Sequence, residues 1–193
     1  MKTKIITVLI TIFLATLVKA QTYKIDSGHS SVMIQVERFG VVDVVGRFKD
    51  VQGDIQYNAE DIGKTSASAV INVESYDANN EGGENAVKSA AFLDAASYPE
   101  ISFKGISATV KDGKNYLKGN LTIHGVSNEI ELPFSIKGPM LDLPTQKQSI
   151  AFQAWITINR QDYGVSFDRQ LPNGTKIVGN DVKITLNILA IAE

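Results

Sequence analysis

The sequence predicts an all-β fold of about eight antiparallel strands with one short helix, and three observations carry that prediction. Past residue 21 the apolar residues recur with period 2, turn-forming clusters punctuate them, and a single alanine-rich stretch breaks the pattern. Period 2 sends alternate side chains to opposite faces of a strand, so each such segment has one face to bury.

Taken in order, Val32, Ile34 and Val36 alternate with Met33, Gln35 and Glu37. Gly46 to Tyr57, Ala67 to Asp77 and Ile101 to Lys111 are the next strand candidates. Between Gly82-Gly83 and Pro99, Glu84 to Leu93 reads as the one short helix. Leu117, Leu121 and Ile123 then alternate with Lys118, Asn120 and Thr122, and Ile130, Leu132, Phe134 and Ile136 with Glu129, Glu131, Pro133 and Ser135. Phe152, Ala154, Ile156 and Ile158 continue the theme, and Val182, Ile184, Leu186 and Ile188 form a closing strand. Asp112-Gly113, Gly125 and Asn173-Gly174 supply residues tolerant of positive φ where turns need them. Leu141 to Ser149 reads as a long loop. Strands of this kind pack as a sandwich or close into a barrel, and alternation does not choose between the two. A barrel of about eight strands is either filled by side chains or holds one small ligand.

The 193 residues, 44% apolar and 21% charged, fit one globular domain. Residues 1 to 20 read as a signal peptide: Lys2 and Lys4 start it, Ile5 to Val18 is mostly apolar, and Val18-Lys19-Ala20 offers small residues at the cleavage spacing. The mature chain, residues 21 to 193, is therefore expected to be exported, periplasmic or secreted, with no integral membrane segment after cleavage. Removing Lys2, Lys4 and Lys19 from the 19 basic residues leaves 16 against 21 acidic ones, a net charge of −5. That balance, without basic clusters, argues against nucleic acid and against electrostatic docking on anionic membranes. Zero cysteines remove disulfides, thiolate metal sites and thiol redox chemistry, and two histidines leave little for an imidazole metal centre.

His29 and His124 share the parity of the polar residues around them, so each is expected to point outward and bond locally. Ser30, His29 and Asp26 assemble a triad on paper, but sequence neighbours do not make triad geometry and no Gly-x-Ser-x-Gly elbow exists. Arg160 and Asp162 continue the inward parity of Phe152 to Ile158, and an inward charge needs a partner. One reading is an Arg–carboxylate pair closing a barrel end; the other is a polar contact for the head group of a ligand. Trp155 has the opposite parity and is expected on the outer wall, under a loop or at a dimer contact. Phe39, Phe48, Phe92, Phe103 and Phe167 lie where they can line a mouth.

In order along the chain, Tyr23-Lys24-Ile25-Asp26 with His29-Ser30, Gly46-Arg47-Phe48, Gly53-Asp54-Ile55 and Ser75-Tyr76-Asp77 form a series of motifs. Phe92-Leu93-Asp94 with Tyr98-Pro99, Ile101-Ser102-Phe103, the run Gly119 to Ser127, and Arg160-Gln161-Asp162-Tyr163-Gly164 complete it. This series resembles the YceI-like family across essentially the whole mature chain. Where that family usually carries a His-Leu pair on its helix, the matching places here are Ala86 and Val87. The resemblance implies an extended lipocalin-like antiparallel β-barrel with the helix near one end and an apolar cavity holding an isoprenoid or similar amphiphilic lipid.

By parity and position, the expected cavity-lining residues are Val32, Ile34, Val36, Phe48, Ile71, Val73, Phe92, Phe103, Leu121, Ile123, Ile156 and Ile158, with Arg160 and Asp162 at the head group. The implied function is a non-catalytic carrier, reservoir or stress-related binding protein. It needs no cofactor, only a polyprenyl quinone or polyprenyl phosphate-type lipid as ligand. The alternatives are a filled-core, stress-related protein acting through a protein partner, and an enzyme modifying such lipids. Exposed strand edges permit a homodimer without requiring one.

Overall fold

A computed structural model describes residues 20–193. The expected signal peptide, apart from Ala20, lies outside the described residues. Eleven strands join one continuous antiparallel sheet that closes on itself. They make eight staves, because three staves are interrupted. The first is β1 (Gln21–Ile25) with β2 (Ser31–Arg38), the second β3 (Val42–Phe48) with β4 (Val51–Tyr57), and the third β5 (Ser66–Asn72) with β6 (Tyr76–Asp77). The others are β7 (Glu100–Lys111), β8 (Lys114–Ile123), β9 (Val126–Asp142), β10 (Lys147–Asn159) and β11 (Val178–Ala192). Each stave pairs with its sequence neighbours, and β11 closes the barrel on both β1 and β2, with Tyr23 opposite Ala192 and Val36 opposite Val182. The fold is thus a closed meander, and the choice between sandwich and barrel falls to the barrel.

The interruptions have local causes. After Ile25, Asp26 accepts a bond from the Gly28 amide and starts a 3-10 turn, Ser27–His29, where the strand loses its ladder. Side chains replace the missing bonds. Ser27 Oγ donates to Lys49 O and accepts from Val51 N, while Ser30 Oγ both donates to Leu189 O and accepts from Leu189 N. A second 3-10 turn, Val73–Ser75, splits the third stave behind Asn72, whose side chain accepts from Glu74 N. The strand candidates Gly46 to Tyr57 and Ala67 to Asp77 are therefore each two pieces.

Three further expectations are corrected. The helix α1 is Glu81–Lys88, earlier than Glu84 to Leu93, because Asn80 caps it and Ser89 ends it. Leu141 to Ser149 is no long loop: β9 runs to Asp142, four residues turn, and β10 begins at Lys147. Asp142 makes that turn tight by accepting from both the amide and the hydroxyl of Thr145. His124 is not a strand residue but a turn residue, with φ +50 beside Gly125 at +74.

One end of the barrel carries the start of β1, the end of β11 and the turns β4–β5, β7–β8 and β9–β10. The other carries the β2–β3 turn, α1 and its following loop, the β8–β9 turn and the long β10–β11 connection. The core is unevenly distributed between these ends. At the terminal end Tyr23, Ala108, Phe134, Ile150 and Ala190 are all buried and fill the lumen, with Phe134 stacked on Phe152 at 5.2 Å between centroids.

Candidate functional site

Above that filled floor the barrel is hollow. A cavity of about 320 Å³ is lined by inward residues of all eight staves and by α1, a volume at the lower end of the ~300–1,000 Å³ typical of ligand pockets. On β11 the lining runs from Val178 to Ile188, about 30 Å of strand at ~3.3 Å per residue. The wall is aliphatic and aromatic over this length, and Glu37, Arg38, Asn80 and Arg160 gather towards the open end. The site is therefore a blind apolar tube with a polar collar.

Inward glycines give the tube its shape. A Cβ on Gly119 would sit 2.4 Å from the Phe103 ring, and one on Gly46 2.2 Å from the Tyr76 hydroxyl. Each glycine makes room for the tip of an aromatic ring from a neighbouring stave, so the ring is housed in the wall and does not plug the lumen. Burial pushes the Tyr76 phenol above its ordinary pKa of 10.0, with Glu84 on α1 adding to the shift.

Val32, Ile34, Val36, Phe48, Ile71, Phe92, Phe103, Leu121, Ile123, Ile156, Ile158 and Arg160 all lie on the cavity wall. Val73 does not: it is buried in the 3-10 turn that splits the third stave, where strand parity no longer applies. Asp162 does not either. The strand ends at Asn159 and a 3-10 turn, Arg160–Tyr163, turns the Asp162 side chain to solvent while Tyr163 faces the cavity. Tyr76 and Tyr163 were hidden from a parity argument by these same breaks. Ile184, Leu186 and Ile188 were not hidden, since the alternation of β11 already marks them as inward. Phe39 and Phe167 stay out of the wall, although Phe167 supports Phe92 at 4.8 Å between ring centroids. Ala86 and Val87 face the cavity from α1.

Arg160 is 5% exposed, and no carboxylate closes a pair with it. Its Nε donates to Gly179 O at 2.9 Å, Nη1 to Val165 O at 2.5 Å, and Nη2 to Phe167 O at 2.5 Å and to the Asn180 side chain at 3.1 Å. The expected Arg–carboxylate pair is thus replaced by a clamp of backbone carbonyls, which draws the β10–β11 connection against β11. Burial lowers the guanidinium pKa from its usual value, opposed by the more distant Asp168. Asn128 in turn donates to Asp162 O at 2.9 Å, joining the β8–β9 end to the same collar.

The histidines sit apart from the cavity. His29 Nδ1 donates to Asp26 Oδ2 at 2.8 Å with the ring largely exposed, and His124 packs on Tyr98 at 4.4 Å between centroids. Ser30 is engaged with Leu189, so the paper triad has no nucleophile on its imidazole. Trp155 is 52% exposed on the outer wall. Among the described residues no group of three or more His, Asp or Glu side chains is placed to hold a metal ion, and no helix is long and apolar enough to cross a membrane.

Known proteins share this architecture. The solved BcnA of Burkholderia cenocepacia superposes with a TM-score of 0.74 at 22% identity, covering 86% of this chain and 99% of that one. A polyisoprenoid binding domain from Saccharophagus degradans, implicated in plant cell wall breakdown, superposes at 0.69 and 16% identity, covering 90% and 99%. These likenesses show the lipocalin-like fold. Among curated sequences, a UPF0312 protein of Staphylococcus aureus strain N315 is 29% identical over 161 residues, 83% of this chain and 92% of the relative. The model of the YceI-like domain matches residues 23–190, from the first strand to the last. With all eight staves of the barrel represented in that match, the chain belongs to the YceI-like family.

Proposed function

We propose that the mature chain is an exported, non-catalytic carrier or reservoir that holds a long isoprenoid, such as a polyprenyl quinone or polyprenyl phosphate, in the barrel. The observation that carries this reading is the blind tube lined by apolar side chains from every stave. Burying a CH₂ is worth about 0.8 kcal/mol, so a five-carbon isoprene unit contributes up to about 4 kcal/mol before the costs of association and chain ordering. Several units suffice without a strong polar contact, and affinity then follows chain length. Arg160 holds the collar together and orients a head group at most, because its donors are already committed to carbonyls. The structural neighbour named for polyisoprenoid binding lends the ligand class support. The leader-like residues 1 to 20 support export. The engagement of Ser30 away from His29 supports a binding role over hydrolysis.

The test is native mass spectrometry of the mature protein from the exported fraction of its own host, followed by solvent extraction. A stoichiometric, chemically unchanged isoprenoid is the expected result. An empty protein that also refuses added ubiquinone and undecaprenyl phosphate overturns the proposal.

A further inference from the structure

Because Tyr23, Phe134 and Ile150 fill the floor, a long apolar guest enters and leaves past the opposite rim. That rim carries a projecting lobe made of two turns. Phe39 and Gly40, with φ of +56 and +65, turn the chain between β2 and β3, and Val41 N closes the turn on Arg38 O at 3.2 Å. Beside it, residues 169–177 fold back through a Leu171 N to Thr175 O bond of 2.8 Å and a Gln170–Lys176 bridge. Phe39 N donates to Ile177 O at 3.0 Å, which ties the two turns into one body.

The lobe presents aliphatic side chains to solvent: Val41 is 85% exposed, Val42 55% and Leu171 37%. Arg38 and Arg169 flank them, and neither makes an ion pair among the described residues. Arg38 lies 4.2 Å over the Phe39 ring and, with Val178 paired opposite, belongs to the cavity wall. The lobe therefore adjoins the polar collar at the open end of the tube through Arg38.

We infer that this lobe is a bilayer-docking element: Val41, Val42 and Leu171 enter the interfacial layer of a membrane while Arg38 and Arg169 meet anionic head groups. Docking there places the mouth against the lipid, so the guest moves between bilayer and tube without crossing water. The mature chain's net charge of −5 opposes long-range attraction to an anionic surface. Insertion of the aliphatic tip supplies the affinity and the two cations set orientation. The inference rests on the lipid-carrying reading, and its test separates the two.

The mature chain and a Val41→Asp/Val42→Asp variant are floated with vesicles of phosphatidylethanolamine and phosphatidylglycerol, and ubiquinone uptake is measured both from such vesicles and from dilute ethanol. The expected result is flotation of the unmodified chain, on the order of tenfold weaker partitioning of the variant, a matching fall in uptake from vesicles, and unchanged uptake from ethanol. Arg169→Glu weakens flotation only when phosphatidylglycerol is present. An unmodified chain that takes ubiquinone from ethanol but does not float overturns the inference. So does a variant that floats as the unmodified chain does, or a dimer that the two substitutions dissociate, which assigns the tip to a second copy. If neither protein takes up ubiquinone from ethanol yet the substitutions abolish flotation, docking stands and the lipid-carrying reading falls.

Discussion

Gly119 and Arg160 each do their work through what lies next to them. Adding a branched side chain at Gly119 drives its Cβ into the Phe103 ring, 2.4 Å away, with the Lys104 carbonyl 2.7 Å off on the same side. The carbonyl is backbone and cannot give way, and Phe103 can yield only by swinging into the lumen. Gly119→Val is therefore expected to destabilise the barrel by about 1–3 kcal/mol, read as a lower midpoint of denaturant unfolding. The Arg160 clamp is the second case. Arg160→Met preserves volume but strips the carbonyls of Val165, Phe167 and Gly179 of their donors. A loss of about 3 kcal/mol is expected, with loosened amides along residues 164 to 178 in hydrogen exchange and little change in preference among ligand head groups. A changed head-group preference at unchanged stability would instead make Arg160 a ligand contact.

At the scale of elements, α1 is the weak wall of the mouth. It has eight residues, and Gly82 and Gly83 occupy its first turn, so its own propensity is poor. Reciprocal capping holds it. The Asn80 side chain caps the first turn, while Glu84 Oε1 accepts from Ala78 N at 3.0 Å and Asn80 N at 3.4 Å. Gly82 has no neighbour closer than 3.7 Å to an added Cβ and no positive φ. Gly82→Ala is expected to stabilise the helix by about 0.5–1 kcal/mol, raise amide protection over Glu84 to Lys88, and slow both loading and release of ubiquinone with little change in affinity. Unaltered exchange rates would mean that α1 does not open during loading. The 169–177 turn is held differently, by Lys176 Nζ on Asp168 at 2.7 Å, a bond that keeps the Asp168 carboxyl below its ordinary 3.8.

For the molecule as a whole, buried phenols set an alkaline limit. Burial raises the pKa of Tyr23, Tyr76 and Tyr163 above 10.0 in the folded barrel. The folded state binds these protons more tightly than the unfolded chain does, so their contribution is complete below pH 10.0 and is lost as pH rises past it. Denaturant midpoints are expected to hold up to that value and fall above it, with a shallower fall in Tyr76→Phe. A midpoint that stays flat well above pH 10.0 would contradict this. The same three side chains stand at the floor, the third stave and the mouth, so alkaline loosening reaches the length of the tube.

The alternation along β2, β8, β10 and β11 determined by itself that these segments are strands, which face is inward, and therefore most of the cavity wall, because a period of 2 is a local consequence of the pleat. The turns at Asp112-Gly113 and Gly125 and the presence of one short helix, though not its bounds or the turn position of His124, were legible for the same local reason. The tertiary structure alone decided the rest. Barrel closure depends on β11 meeting β1 and β2, partners more than a hundred residues away. Parity stops at the 3-10 turns, which is why Val73 and Asp162 leave the wall and Tyr76 and Tyr163 join it. Whether a lumen is filled or hollow depends on how side chains from eight staves meet in each layer. Here Tyr23, Phe134 and Ile150 meet and close the floor, while Gly46 and Gly119 hold Tyr76 and Phe103 against the wall and leave the tube open.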